Sequence, residues 1–147
     1  MSAILERLRA GVESASPEET ARLAADFAAA LPENRVLTLR GDLGVGKTTW
    51  VRGMARAWGI TEPVTSPTFN LFVIYNGQRQ LVHLDAYRLG SPEEAESLLI
   101  EDFLRPPWCL AVEWPERLGD FLPADAWSLS LRILAPGVHQ IALADCV

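Results

Sequence analysis

Apolar and polar positions along the chain alternate between two periods, 3.6 and 2. Thr20, Leu23, Ala24, Phe27 and Leu31 fall on one helical face. Ser16-Pro17-Glu18-Glu19 before them supplies a cap, a first-turn proline and a capping-box glutamate, and Pro32 stops the helix. Residues 36–39 form a short β-prone run that ends at Gly41. Val51, Met54, Ala55 and Trp58 then recur at helical spacing, with Gly59 at the C-cap. Residues 69–75 and 78–84 flank Asn76-Gly77, which predicts a hairpin. Ser91-Pro92-Glu93-Glu94 repeats the cap pattern and predicts a helix through Ile100. Residues 109–112 read as a buried strand. Residues 127–134 alternate, Pro136-Gly137 turns the chain, and 138–143 return as a second hairpin. The first dozen residues suit a short helix or an irregular lead-in equally. The implied fold is a single α/β domain over 1–147. Its mixed sheet is parallel at the centre, carries antiparallel hairpins at the ends and is flanked by helices.

Composition narrows the functional classes. The 147 residues are 49% apolar, enough for a core without disulfide staples. A net charge of -6 argues against direct nucleic-acid binding, though not against a nucleotide pocket built from local cations and main-chain amides. Cys109 and Cys146 form no disulfide framework, which suits a reducing cytoplasm. No apolar run reaches membrane-span length, and Glu6, Arg7 and Arg9 interrupt any secretory pattern. The expectation is a cytoplasmic protein without a membrane partner.

The chemistry concentrates in Gly41-Asp42-Leu43-Gly44-Val45-Gly46-Lys47-Thr48, which matches G-x-x-x-x-G-K-[ST] between a strand and a helix. Glycines at 41, 44 and 46 let successive N–H groups converge on phosphate, and the helix presents its positive end to the same anion. Lys47 supplies charge for the β- and γ-phosphates, and the Thr48 hydroxyl is placed for Mg²⁺. Such a site needs an acid at the carboxyl end of a buried strand. Glu113 and Asp85 both occupy strand ends. Glu113 is assigned to the metal, directly or through water. Asp85 is assigned either to the metal's water shell or to orienting the attacking water. The hydroxyls of Thr65-Ser66-Pro67-Thr68 suit a γ-phosphate sensor or a plain turn. His83 reads as a packed or surface imidazole rather than a ligand. Arg88 divides evenly between phosphate contact and the surface, and Trp114 reads as packing rather than a base platform.

Four blocks together resemble the TsaE (YjeE) family of P-loop ATPases in tRNA threonylcarbamoyladenosine synthesis. These are the loop through Thr49, Ser66-Pro67-Thr68-Phe69, His83-Leu84-Asp85-Ala86-Tyr87-Arg88-Leu89 and Val112-Glu113-Trp114-Pro115-Glu116. The resemblance spans about residues 36–120, and no block falls in the first 15 residues or after about 121. It implies a weak ATPase that docks on a TsaD–TsaB complex, which transfers threonylcarbamoyl to the adenosine beside the anticodon. The protein would reach tRNA only indirectly and be a monomer alone. The resemblance makes Lys47 and Thr48 phosphate and Mg²⁺ ligands, Thr48 and Glu113 the metal holders, and Asp85 necessary for hydrolysis. It makes Ser66, Pro67 and Thr68 a switch segment and puts Trp114 near the nucleotide. Val45 departs from the family's small residue. Rival readings are a small-molecule kinase, a GTP switch (no Asn-Lys-x-Asp tetrad occurs) and a nucleotide-gated module that does not hydrolyse.

Overall fold

The structure is a computed structural model that describes residues 3–42, 45–65 and 72–144. Five predicted site residues, Leu43, Gly44, Ser66, Pro67 and Thr68, lie outside the described residues, as does Cys146. The chain runs α1 (Ala3–Ala10), β1 (Val12–Ser14), α2 (Pro17–Ala30), β2 (Arg35–Arg40), α3 (Lys47–Ala57), β3 (Phe72–Tyr75) and β4 (Gln80–Asp85). It continues as α4 (Pro92–Ser97), β5 (Trp108–Glu113), β6 (Trp127–Ala135) and β7 (Val138–Ala144). The seven strands form one sheet in the order β1-β7-β6-β2-β5-β4-β3. Strands β6, β2, β5 and β4 are mutually parallel, and the flanking pairs are antiparallel. The expected mixed sheet is therefore present.

Period-two alternation divides the core. Leu37, Leu39, Leu81, Cys109 and Ala111 face α1, α2 and α3. Val36, Val82, Leu84, Leu110 and Val112 face α4 and the short turns around it. Burial pushes the Cys109 thiol up to about 12, so it stays a neutral packing group. Trp50 of α3 anchors the first layer, its ring 5.5 Å from Phe27. At Gly53 the two helices nearly touch, because a Cβ there would lie 2.6 Å from the Ala21 carbonyl oxygen and 2.7 Å from the Ala24 Cβ. Gly53→Ala is expected to force α2 and α3 apart and cost about 1–3 kcal/mol by overpacking. Thermal unfolding checks this, and an unchanged Tm would show that the helices separate freely.

Local signals held where they were self-contained. The Ser16 hydroxyl accepts from the Glu19 N–H at 3.1 Å, and Glu19 reaches back to the Ala15 N–H at 3.3 Å. Two expectations changed under tertiary contact. The first hairpin does not close at Asn76-Gly77: Tyr75 pairs with Leu81, and β4 begins only at Gln80. The Gln78 N–H donates to the Trp58 carbonyl at 2.6 Å and the Gln80 N–H to the Pro107 carbonyl at 2.8 Å, so the turn is recruited to the end of α3 and the start of β5. Gly77 serves this approach, since a Cβ would collide with the Trp58 carbonyl oxygen. The helix expected through Ile100 stops at Ser97. Ser91 makes no side-chain cap, and Leu99 turns left-handed at φ 53. A 3₁₀ turn at Ile100–Phe103 follows, held where Gln80 donates to the Phe103 carbonyl at 3.0 Å. The first dozen residues resolve into α1 and the edge strand β1. Among the described residues no helix is long and apolar enough to cross a membrane.

Candidate functional site

The site lies where β2, β4 and β5 end in register. Leu39 and Asp85 are both the parallel partners of Glu113, on opposite sides of it. Alternation also puts His83, two residues before Asp85, on the α3 side of the sheet with Leu81. Glu113 takes that side with Cys109 and Ala111. The topology thus collects two acids and an imidazole beneath the first turn of α3.

The loop after β2 is shaped by crowding. Gly41 has φ +145, and a Cβ there would meet the Leu131 carbonyl oxygen and lie 2.7 Å from Val45 Cγ2. Val45 is buried in the core at 3% exposure, so its side chain packs inward. Asp42 is exposed, and its carbonyl accepts from the Val45 N–H at 3.3 Å. Gly46 has φ +102 and caps α3 without any side-chain bond to the first-turn amides. These N–H groups and the helix dipole make the end of α3 attractive to an anion.

Lys47 is only 4% exposed. Its Nζ donates to the Gly41 carbonyl at 2.7 Å, lies 3.8 Å from Glu113 Oε1, and sits 4.3 Å from the centre of the Trp114 ring. Glu113 is 5% exposed, and its Oε2 accepts from His83 Nε2 at 2.5 Å. His83 is fully buried, and its Nδ1 has no partner among the described residues. The carboxylate is therefore clamped between a cation and an imidazole N–H, as a buried charge requires. Trp114 adopts a left-handed φ of 57, uncommon for a non-glycine residue and outside the extended region that a following proline favours. Its indole lies over Lys47 and 5.1 Å from the Tyr87 ring. Asp85 caps the turn Ala86–Arg88, its Oδ1 accepting from the Tyr87 N–H at 3.0 Å. The exposed rim carries the Arg40–Glu116 pair at 3.0 Å, and Arg88 is exposed.

Of the sequence-predicted residues, Lys47 thus lies against both Glu113 and Trp114, and Asp85 is the strand partner of Glu113, with Thr48 and Thr49 half-buried in the first turn of α3. Two participants escaped the sequence reading. His83 is packed, as expected of a lone histidine, but it is packed on Glu113. Its two-residue spacing from Asp85 was the available signal. His139 of β7 donates its Nδ1–H to the Val45 carbonyl at 2.6 Å and supports the loop from 94 residues away. No local pattern announces that contact. Among the described residues no three His, Cys, Asp or Glu side chains gather as a metal cage. Thr48 with one acid is the donor set that could hold Mg²⁺, an ion that takes one or two protein ligands together with substrate phosphates.

This architecture places the chain in the P-loop NTPase-like class of α/β proteins. A family model described as "Threonylcarbamoyl adenosine biosynthesis protein TsaE" matches residues 14–137, and the chain belongs to the TsaE family. The tRNA threonylcarbamoyladenosine biosynthesis protein TsaE of Treponema pallidum is 38% identical over 131 residues, covering 89% of this chain and 97% of that protein. The same protein of Bacillus subtilis is 38% identical over 118 residues, covering 80% and 73%. The crystal structure of Bacillus subtilis YdiB superposes with a TM-score of 0.74 at 35% identity, covering 90% of this chain and 82% of that one.

Proposed function

We propose that the chain binds and hydrolyses Mg-ATP and so supports threonylcarbamoyl transfer to the adenosine beside the anticodon of tRNA by a TsaD–TsaB complex in the cytoplasm. The carrying observation is that Asp85 and Glu113 end two adjacent parallel strands in register, with Lys47 of the first turn of α3 lying 3.8 Å from Glu113. The main-chain amides around Val45, Gly46 and Lys47 cradle phosphate, and the Lys47 ammonium binds the β- and γ-phosphates. Thr48 and Glu113 would hold Mg²⁺, which neutralises phosphate charge when bound. Asp85 orients the attacking water or takes part in the metal's water shell. The water oxygen bonds to the γ-phosphorus, the bridge to the β-phosphate breaks, and its electron pair leaves with ADP. The released proton passes to a carboxylate or a phosphate oxygen. Ser66, Pro67 and Thr68 act as the switch segment. The acidic surface suits a subunit that reaches tRNA through partners.

The test is ATP hydrolysis by the purified chain with and without TsaD–TsaB. Asp85→Ala is expected to keep ATP bound and to lower turnover about 10²-fold or more. Parental turnover in that variant would remove Asp85 from the mechanism. Hydrolysis that stays absent with partners present would favour a nucleotide-gated binding module instead.

A further inference from the structure

The core layer under α4 opens at the end of the sheet opposite the phosphate loop. A cavity of about 230 Å³ lies there at the start of β2 and β5, walled by Val36, Ile100, Leu104, Trp108, Leu110 and Phe121. β5 runs from Trp108 to Glu113, so the cavity is roughly 16 Å along the sheet from the candidate site. It is smaller than the roughly 300–1,000 Å³ of a complete small-molecule site, and its apolar wall suits one anchoring side chain of a larger partner.

The segment that walls the cavity also shows apolar side chains to water. Leu99 is 56% exposed and Phe103 46%. Leu99 follows the C-cap of α4 in a left-handed conformation, φ 53 and ψ 42, where glycine or asparagine is usual. A leucine there carries backbone strain and exposed apolar surface at once, and neither helps the isolated chain to fold. The charge around it has one sign. Residues 92–105 hold Glu93, Glu94, Glu96, Glu101 and Asp102 against Arg105 alone. Among the described residues Glu93, Glu96 and Glu101 have no ion-pair partner, and Glu101 also lines the cavity. Such a rim repels RNA and anionic lipid and attracts a cationic protein surface. We propose that this face docks a basic amphipathic helix of a partner protein. One bulky apolar side chain of that helix fills the cavity, Leu99 and Phe103 pack beside it, and its lysines or arginines meet the acids. The surface is separate from the phosphate site and does not depend on the nucleotide reading.

The test titrates the full chain by calorimetry with a synthetic leucine–lysine amphipathic helix and with a leucine–glutamate peptide of the same apolar pattern. The basic peptide is expected to bind in the micromolar range and the acidic one about 10²-fold more weakly or less. Leu99→Asn is expected to hold or raise Tm, because asparagine tolerates the left-handed turn, and to weaken the basic peptide about tenfold. Glu101→Lys combined with Asp102→Lys is expected to weaken it about tenfold or more. The same reversal at the exposed Glu13 and Asp26, on β1 and α2, is expected to leave it within about twofold, since screened charges act over about 10 Å. Mg-ATP affinity stays parental in every variant. A basic peptide that does not bind, or binds no better than the acidic one, overturns the proposal. Parental peptide affinity in both Leu99→Asn and the Glu101 and Asp102 reversal does so too. An equal loss in the Glu13 and Asp26 reversal would reduce the contact to net charge, and a matching fall in Mg-ATP affinity would trace it to the fold; either result overturns the docking face.

Discussion

Lys47→Ala is expected to lower Mg-ATP affinity by about 10²-fold, close to 2.7 kcal/mol, and to abolish productive turnover. In the proposed site the ammonium binds the triphosphate, and a hydrogen bond to a charged group is worth about 1.5–3 kcal/mol. The same change has a structural cost, because Lys47 lies 3.8 Å from Glu113 in a nearly closed crevice. His83 still donates to the other carboxylate oxygen, so the loss is smaller than the roughly 3–5 kcal/mol of fully stranding a buried charge. Lys47→Met separates the two effects. It keeps an apolar stem beneath Trp114 and removes only the charge. Adding Glu113→Gln to it neutralises the stranded carboxylate, which is expected to restore Tm but not nucleotide binding. Calorimetry and thermal unfolding of the three variants read both quantities. Unchanged affinity and turnover in Lys47→Ala would remove the lysine from the site.

What the sequence made legible was whatever a short segment decides alone. The capping box at Ser16 and Glu19 needs four residues, and the loop motif needs eight. The acids at 85 and 113 stand out in the sequence because each directly follows an apolar run. Long-range contacts decided the rest. Asn76-Gly77 carries a strong local turn signal, yet the end of α3 claims the backbone there and lengthens the loop. The strand order, with β1 on the far edge beside β7, follows from no local pattern. Trp114 gave two competing readings, as packing group and as nucleotide neighbour. Its ring touches both Tyr87 and the Lys47 ammonium, so it packs as part of the crevice itself. His83 and His139 are the plainest cases. Each acts through one partner, 30 and 94 residues away in sequence, and only the folded sheet brings the pairs together.

Glu113→Gln is expected to divide binding from hydrolysis. In the present arrangement one oxygen of Glu113 faces Lys47 and the other is held by His83. On the proposed reading the carboxylate would compete with phosphate for the ammonium before nucleotide arrives, and would supply negative charge for the metal afterwards. Glutamine keeps the volume and still accepts from His83, but it releases Lys47 from its anionic partner. ATP affinity should then be retained or rise slightly. Mg²⁺-dependent hydrolysis should fall about 10–100-fold where the acid acts through water, the usual effect of losing an outer-shell ligand. In that case raising the Mg²⁺ concentration recovers part of the rate. A carboxylate that touches the metal directly predicts a larger fall that added Mg²⁺ does not repair. Single-turnover hydrolysis across a Mg²⁺ series, beside calorimetric ATP titration, distinguishes the two. Parental hydrolysis, or a loss of ATP binding in step with rate, would show that Glu113 only braces Lys47 and takes no part in the metal chemistry.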